Sequence, residues 1–134
     1  MKVWHTKSGY TITNILPGRS NVFLISGNGK NILIDSSPGY KWKKLKDRLT
    51  RLNINKLEYL ILTHTHYDHA ENSTKIKKEY GAKVMVNKLE AEYLDKGVNI
   101  MPHGTNVLTR FLPSHDTPNT RKLLLKEFKK RGRV

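Results

Sequence analysis

The sequence predicts a layered α/β domain. Its first third alternates short β-prone runs with turn residues, and the stretch after residue 40 shows apolar residues at helical spacing. Strand-like and helical patterns then alternate as far as about residue 97. Such alternation is typical of a sheet with helices packed on it. The length of 134 residues allows one domain with a modest core.

The early strands are marked by apolar, β-branched runs at residues 10–16, 21–25 and 31–35. The second and third runs form a predicted hairpin around residues 27–30, whose two glycines can take positive φ. Residues 36–39, Ser-Ser-Pro-Gly, then end the strand pattern.

The first helix is predicted from Trp42, Leu45, Leu49 and Leu52, which share one helical face while basic residues occupy the others. The later elements are predicted from the same kinds of pattern: a strand at 57–62, a helix at about 70–80, a strand at 83–87 and a helix at 89–96. Glycines follow both of these later helices, as is common at helix C-termini. The last residues, 121–133, regain helical character with many basic side chains.

The composition limits the classes of function. Twenty-five Lys and Arg against eleven Asp and Glu give a net charge of +14, which permits nucleic-acid binding. A solvated, lysine-rich surface is the simpler explanation, because the charge is spread along the whole length. The chain has no cysteine, so a metal site would use His, Asp or Glu. No segment reaches the about 20 apolar residues of a membrane span, and no signal peptide is recognisable. We therefore expect a cytoplasmic protein with no membrane partner.

Residues 63–69, Thr-His-Thr-His-Tyr-Asp-His, carry a concentration of side chains that can bind a metal ion. Three imidazoles and one carboxylate lie within six positions, directly after the apolar run at 57–62. Imidazole nitrogen and carboxylate oxygen are ligands that zinc and similar divalent ions prefer. Sites in α/β folds commonly follow the carboxyl end of a strand. The sequence therefore predicts a metal site in this segment.

The His-x-His-x-Asp-His pattern at a strand end resembles the defining motif of the metallo-β-lactamase fold superfamily. The paired strands that end at Asp35 and the strand and helix after residue 83 are also similar to that family, closest in character to its glyoxalase-II-like hydrolases. The resemblance implies a four-layer αββα sandwich, of which this chain matches about the first half, over residues 10–97. We therefore expect one partial, apparently truncated domain over residues 1–134, with a divergent C-terminal segment at 99–134.

The resemblance also implies roles for single residues. His64 and His66 would bind a first metal ion, and Asp68 and His69 a second. Zinc is the expected metal, as one or two ions, with iron and manganese as further candidates. Asp68 would also orient a metal-activated water and accept its proton. Asp35 would support the ligand segment through hydrogen bonds without touching the metal.

The remaining ligands are only partly represented. Residues 112–118 are an imperfect version of the family loop that supplies a further histidine, which makes His115 a predicted ligand and His103 a weaker candidate. After Asp116 the sequence contains neither Asp nor His, so a bridging aspartate and a last histidine have no counterpart. We expect the half sandwich to be covered by the C-terminal segment, by a second copy in a homodimer, or by a complementing chain.

Three functions follow from these observations. The first is a metal-dependent hydrolase that acts on a small-molecule ester, thioester or lactone-like substrate. The second is a nuclease that acts on RNA, because the chain is strongly basic. The third is a degenerate, non-catalytic metal-binding or interaction module, because the ligand set is incomplete.

Overall fold

The computed structural model describes residues 1–91, and within this range the chain forms a six-stranded sheet with helices. The strands are β1 (Lys2–His5), β2 (Thr11–Leu16), β3 (Val22–Gly27), β4 (Lys30–Ile34), β5 (Tyr59–Ile61) and β6 (Lys83–Met85). The helices are α1 (Trp42–Arg51), α2 (Tyr67–Ala70) and α3 (Ser73–Tyr80), with a 3₁₀ turn at Gly39–Lys41 before α1. Residues 88–91 are also helical.

The strands lie in the sheet in their order along the chain, from β1 to β6. The first three pairings are antiparallel, whereas β4–β5 and β5–β6 are parallel. The parallel pairs are joined by crossovers that contain α1 in one case and α2 and α3 in the other. As a result, the carboxyl ends of β4, β5 and β6 meet at one edge of the sheet.

The hydrophobic core lies between one face of this sheet and the helices. Leu24, Leu33 and Leu60 project from β3, β4 and β5, and each is at most 3% exposed. They belong to one cluster with Leu45 and Leu49 of α1. Each fully buried side chain of this size contributes about 1.5–3 kcal/mol. The predicted amphipathic helix is confirmed as α1, because its apolar face is the buried one.

The opposite face of the sheet also carries apolar side chains, and these form two rows that follow the strand register. Five side chains from β1 to β5 make the first row: Trp4, Ile12, Ile25, Ile32 and Tyr59. Four from β3 to β6 make the second: Phe23, Ile34, Ile61 and Met85. All nine remain at least partly exposed, and we call them the open face.

The structure differs from the sequence prediction in three elements. The helix predicted at about 70–80 is confirmed as α3, but it begins three residues later, at Ser73. A separate short helix, α2, precedes it and contains Asp68 and His69. The N-terminal strand β1 was not predicted, because its four residues are all exposed and show no alternation of polarity.

The predictions for residues 92–134, which include His103, His115 and the divergent segment at 99–134, lie outside the described residues. In the part that is described, no helix has the length and apolar character needed to span a bilayer.

Candidate metal centre

The predicted ligands gather at the edge of the sheet where β4 and β5 end. Asp35 directly follows β4, and the segment from Thr63 to His66 follows β5. Because these two strands are parallel neighbours, their carboxyl ends deliver both segments to the same place. Asp35 also donates its backbone N–H to Ile61 O at 2.9 Å, which joins the two ends directly.

Three imidazole rings lie against one another at this edge. The ring centroids of His64 and His66 are 4.6 Å apart, and those of His64 and His69 are 4.1 Å apart. The carboxylate of Asp68 reaches to 3.7 Å from Nε2 of His69. The structure therefore brings together all four ligands predicted from residues 63–69. Their roles as ligands stay predictions.

Asp35 is the buried centre of the hydrogen bonds around these rings. Its side chain accepts bonds from the Thr63 amide at 2.8 Å, from Thr63 Oγ1 at 2.9–3.0 Å, and from His69 Nδ1 at 2.8 Å. A carboxylate can only accept, so Nδ1 of His69 carries a proton, and in the neutral ring Nε2 has a free lone pair. Metal-binding histidines commonly hold their second nitrogen in this way. The contact is the one expected of Asp35, although its role stays a prediction.

The turn after β4 is held in an unusual backbone conformation. Asp35 and Ser37 have φ of 61° and 65°, in the left-handed region that non-glycine residues seldom occupy. Ser36 between them is fully buried, and both its amide and its hydroxyl donate to the backbone oxygen of His69, at 2.7 and 2.8 Å. Such conformations persist where the surroundings fix them. The residues at the end of β4 thus hold both the ring and the backbone of His69 through hydrogen bonds.

Asn72 supports the same turn from the start of α3. It is fully buried, and its side-chain amide donates to the carbonyl oxygens of Ser36, Ser37 and Pro38 at 3.0–3.1 Å. Glu71 adds a contact from the neighbouring position, since its Oε2 accepts the Gly39 amide at 2.6 Å. A Cβ atom at position 39 would lie 2.9 Å from this carboxylate, so a larger residue there would force the Glu71 side chain to shift.

The environment of His64 favours its neutral form. Burial lowers the pKa of His64 below 6.5, and the neighbouring His69 and His66 lower it further. Its Nδ1 lies 3.0 Å from Thr63 Oγ1, which leaves Nε2 directed elsewhere. Neutral imidazole is the form that binds a metal ion. The electrostatics of the ring cluster therefore suit the predicted ligand role.

A second carboxylate contacts the segment of residues 63–69 from the side of β6. Glu90, in the helical stretch at 88–91, accepts bonds from the amide and the hydroxyl of Thr65 at 3.0 and 2.6 Å. Thr65 stands between His64 and His66 and is 6% exposed. Sequence reasoning did not identify Ser36, Asn72 or Glu90. An asparagine directly before a helix was the only local signal for any of them.

The donor set fits a divalent ion in kind, because it offers neutral imidazoles and a carboxylate and excludes thiolates. The geometry is less complete. Among residues 1–91, no three His, Asp or Glu side chains are arranged to hold a metal ion. Residues 63–69 thus supply donors of the right kind without a formed binding geometry in the described part of the chain.

Comparison with known proteins assigns this chain to a family. The profile of the metallo-beta-lactamase superfamily matches residues 15–125. A probable metallo-hydrolase of Methanocaldococcus jannaschii is 32% identical over 78 residues, which are 58% of this chain and 37% of that protein. A metal-dependent hydrolase of Staphylococcus aureus is 32% identical over 94 residues, which are 67% of this chain and 38% of that protein. The matched part thus spans less than two fifths of the length of these relatives.

Solved structures show the same fold. A metallo-beta-lactamase of Cronobacter sakazakii superposes with a TM-score of 0.59 at 19% identity, over 72% of this chain and 38% of that one. A metallo-beta-lactamase of Legionella gormanii gives a TM-score of 0.58 at 26% identity, over 66% of this chain and 34% of that one. The prediction of a partial αββα fold is confirmed by these neighbours. With the profile match over most of its length, the chain belongs to the metallo-beta-lactamase superfamily.

Proposed function

We propose that this chain carries the metal-binding half of a hydrolase. The observation that supports the proposal best is the cluster of His64, His66 and His69 beside Asp68, with His69 oriented by the buried Asp35. A polar cluster of this kind is costly for a small domain to assemble unless it binds something. The names of the two curated relatives, a metallo-hydrolase and a metal-dependent hydrolase, point the same way.

In this proposal, the imidazoles of His64 and His66 hold one ion, Asp68 and Nε2 of His69 hold a second where two are bound, and zinc is the metal we expect. A divalent ion supplies Lewis-acid polarisation and a water molecule of lowered pKa. Asp68 stands beside His69 and can accept a proton from a nucleophile. Asp35 keeps His69 in the tautomer that leaves Nε2 unprotonated. The substrate class is a small ester, thioester or lactone, and the cytoplasm is the expected location.

The first experiment measures metal content and hydrolysis together. We expect the purified chain to bind zinc, and a double variant with His64→Ala and His66→Ala to lose it. Hydrolysis of a p-nitrophenyl ester should fall on the order of 10³-fold, because the ion contributes several kcal/mol to transition-state stabilisation. The control is His5→Ala, since His5 is an exposed histidine of β1. Equal metal content in the wild type and the double variant would contradict the proposal.

A second candidate is a nuclease that acts on RNA. It is favoured by the net charge of +14 and by exposed basic side chains on the two packed helices, among them Lys43, Lys44, Arg51, Lys77 and Lys78. RNA affinity that falls steeply with salt would support this alternative. Stoichiometric zinc without any hydrolysis would instead favour the third interpretation, a non-catalytic metal-binding module.

A further inference from the structure

Glu90 makes an unusual contact with the histidine-bearing segment. One carboxylate oxygen, Oε2, accepts both hydrogen-bond donors of Thr65, the amide at 3.0 Å and the hydroxyl at 2.6 Å. Hydrogen bonds to an ionised acceptor are about twice as strong as neutral ones. Because both bonds go to one residue, they fix the backbone of Thr65 and its side-chain rotamer together.

The contact affects two histidines because of where Thr65 lies in the chain. Thr65 lies between His64 and His66, in a segment outside any helix or strand. Its neighbour two positions earlier, Thr63, is held by Asp35 from the β4 side. Glu90 holds Thr65 from the β6 side, so His64 lies between two fixed points. Any shift of the backbone at Thr65 would move both flanking imidazoles.

We propose that Glu90 is a positioning residue that sets the spacing of His64 and His66 through Thr65 and thereby controls metal affinity. The inference rests on the proposed function, and it goes further by assigning a role to a side chain outside the His-x-His-x-Asp-His motif. Metal sites require ligands held to within about 0.5 Å. Loss of a hydrogen-bonding partner behind the ligands typically weakens metal binding about 10–100-fold. Glu90 therefore acts without touching the ion.

The test titrates the metal-free chain of 134 residues with Co²⁺ and follows the ligand-field absorption bands. We expect Glu90→Ala to weaken Co²⁺ binding about 10–100-fold and to alter the band positions. Glu90→Gln should recover most of the affinity, because its carbonyl oxygen can still accept both bonds. The matched control is Glu79→Ala, which removes the same charge from an exposed glutamate bound to Lys46 at 2.6 Å.

Variants of Thr65 test the contact from its other partner. Thr65→Ser keeps both donors and should bind Co²⁺ as the wild type does, whereas Thr65→Val keeps only the amide and should bind it more weakly. Combining Thr65→Val with Glu90→Ala should cost little beyond Glu90→Ala alone, since both changes break the same contact. Fully additive losses would contradict a shared mechanism.

Two results would overturn the inference. One is Co²⁺ binding by Glu90→Ala that equals the Glu79→Ala control. The other is Glu90→Gln as weak as Glu90→Ala, because the charge or direct ligation would then be the cause. A wild-type chain that binds no Co²⁺ would contradict the proposed function instead. Hydrogen exchange in the metal-free chain still tests the contact, since the Thr65 amide should exchange slowly in the wild type and faster in Glu90→Ala.

Discussion

At the scale of single residues, Asp35 connects the sheet to the candidate site. Its side chain is 6% exposed and accepts hydrogen bonds from three donors of Thr63 and His69. Thr63 fixes where the histidine-bearing segment leaves β5, and the bond to His69 Nδ1 fixes the orientation of that ring. A single carboxylate thus fixes both the path of the segment and the orientation of one predicted ligand.

Replacing Asp35 with asparagine should disturb both roles, and the two effects can be measured separately. The amide group would donate to His69 Nδ1 and move the imidazole proton to Nε2, the nitrogen needed for a metal ion. We expect Zn²⁺ affinity to fall about 10–100-fold, and the free energy of unfolding to fall by about 1–3 kcal/mol. Isothermal titration and urea denaturation measure the two effects. Asp47→Asn, on an exposed part of α1, is the control, and equal Zn²⁺ affinity in both variants would refute the assignment.

A second carboxylate, Glu58, makes stability depend on pH. Its Oε2 accepts the Asn31 amide at 2.9 Å, and this bond is the main reason that the pKa of Glu58 lies below 4.5. The unfolded chain therefore binds more protons between the lowered pKa and 4.5. The stabilisation is complete above pH 4.5 and is lost as the pH falls through the lowered pKa.

Urea denaturation between about pH 3 and pH 6 tests this dependence. The stability difference between the wild type and Glu58→Gln should be constant above pH 4.5 and should shrink below it, because glutamine does not titrate. Lys56→Gln should leave the pH profile almost unchanged, since the charge of Lys56 is a smaller cause than the Asn31 bond. If the free energy of unfolding of Glu58→Gln changed with pH in parallel with that of the wild type, the bond to Asn31 would not couple stability to the protonation of Glu58.

At the scale of elements, several hydrogen bonds join the turn after β4 to the start of α3. The side-chain amide of Asn72 donates to three carbonyl oxygens of residues 36–38, and its backbone N–H donates to Ser36 Oγ at 3.1 Å. Backbone groups in such a turn would otherwise be buried without partners. These bonds stabilise the left-handed backbone at Asp35 and Ser37, and so keep Asp35 facing His69.

The elements that the sequence predicted well are those whose residue types form a local pattern. The apolar, β-branched runs of β2, β3 and β4 and the regularly spaced leucines of α1 are such patterns. The break between α2 and α3 was missed, because Asn72 is used by residues 36 positions away. Glu90 was missed for the same reason, since its partner Thr65 lies 25 positions away. Contacts of this range leave no periodic pattern in the sequence.

The candidate site likewise has one part that the sequence predicted and another that it did not. His64, His66, Asp68 and His69 could be predicted because a short segment carries all four, and their types alone indicate metal chemistry. Their supporting hydrogen bonds come from β4, α3 and the helical stretch at 88–91. Only the fold brings these elements to one edge of the sheet.

At the scale of the whole molecule, the open face is the feature that most constrains assembly. Its two rows cross the sheet from Trp4 to Tyr59 and from Phe23 to Met85, with Trp4 39% and Met85 49% exposed. Within residues 1–91, the core helices pack on the other side of the sheet. Contiguous apolar surface of this extent is uncommon on monomers and marks association sites.

We therefore expect a homodimer in which two open faces meet around a two-fold axis. Sedimentation at tens of micromolar should give twice the 15.5 kDa chain mass. Ile25→Lys, at the centre of the first row, should shift the chain to monomer, because a buried lysine without a partner is strongly unfavourable. Asn55→Lys adds the same charge at an exposed site and should leave the dimer intact. A monomeric wild type would reject this assembly.

The salt dependence of association separates this dimer from a complex with RNA. Each copy carries a net charge of +14, so two copies repel each other and an apolar interface must overcome that repulsion. Added salt screens the repulsion, with a Debye length of about 8 Å at physiological ionic strength, and should strengthen the dimer. RNA binding should weaken over the same range, because releasing counterions into a more concentrated salt solution gains less free energy. Self-association that weakens with salt would indicate a charged interface in place of the open face.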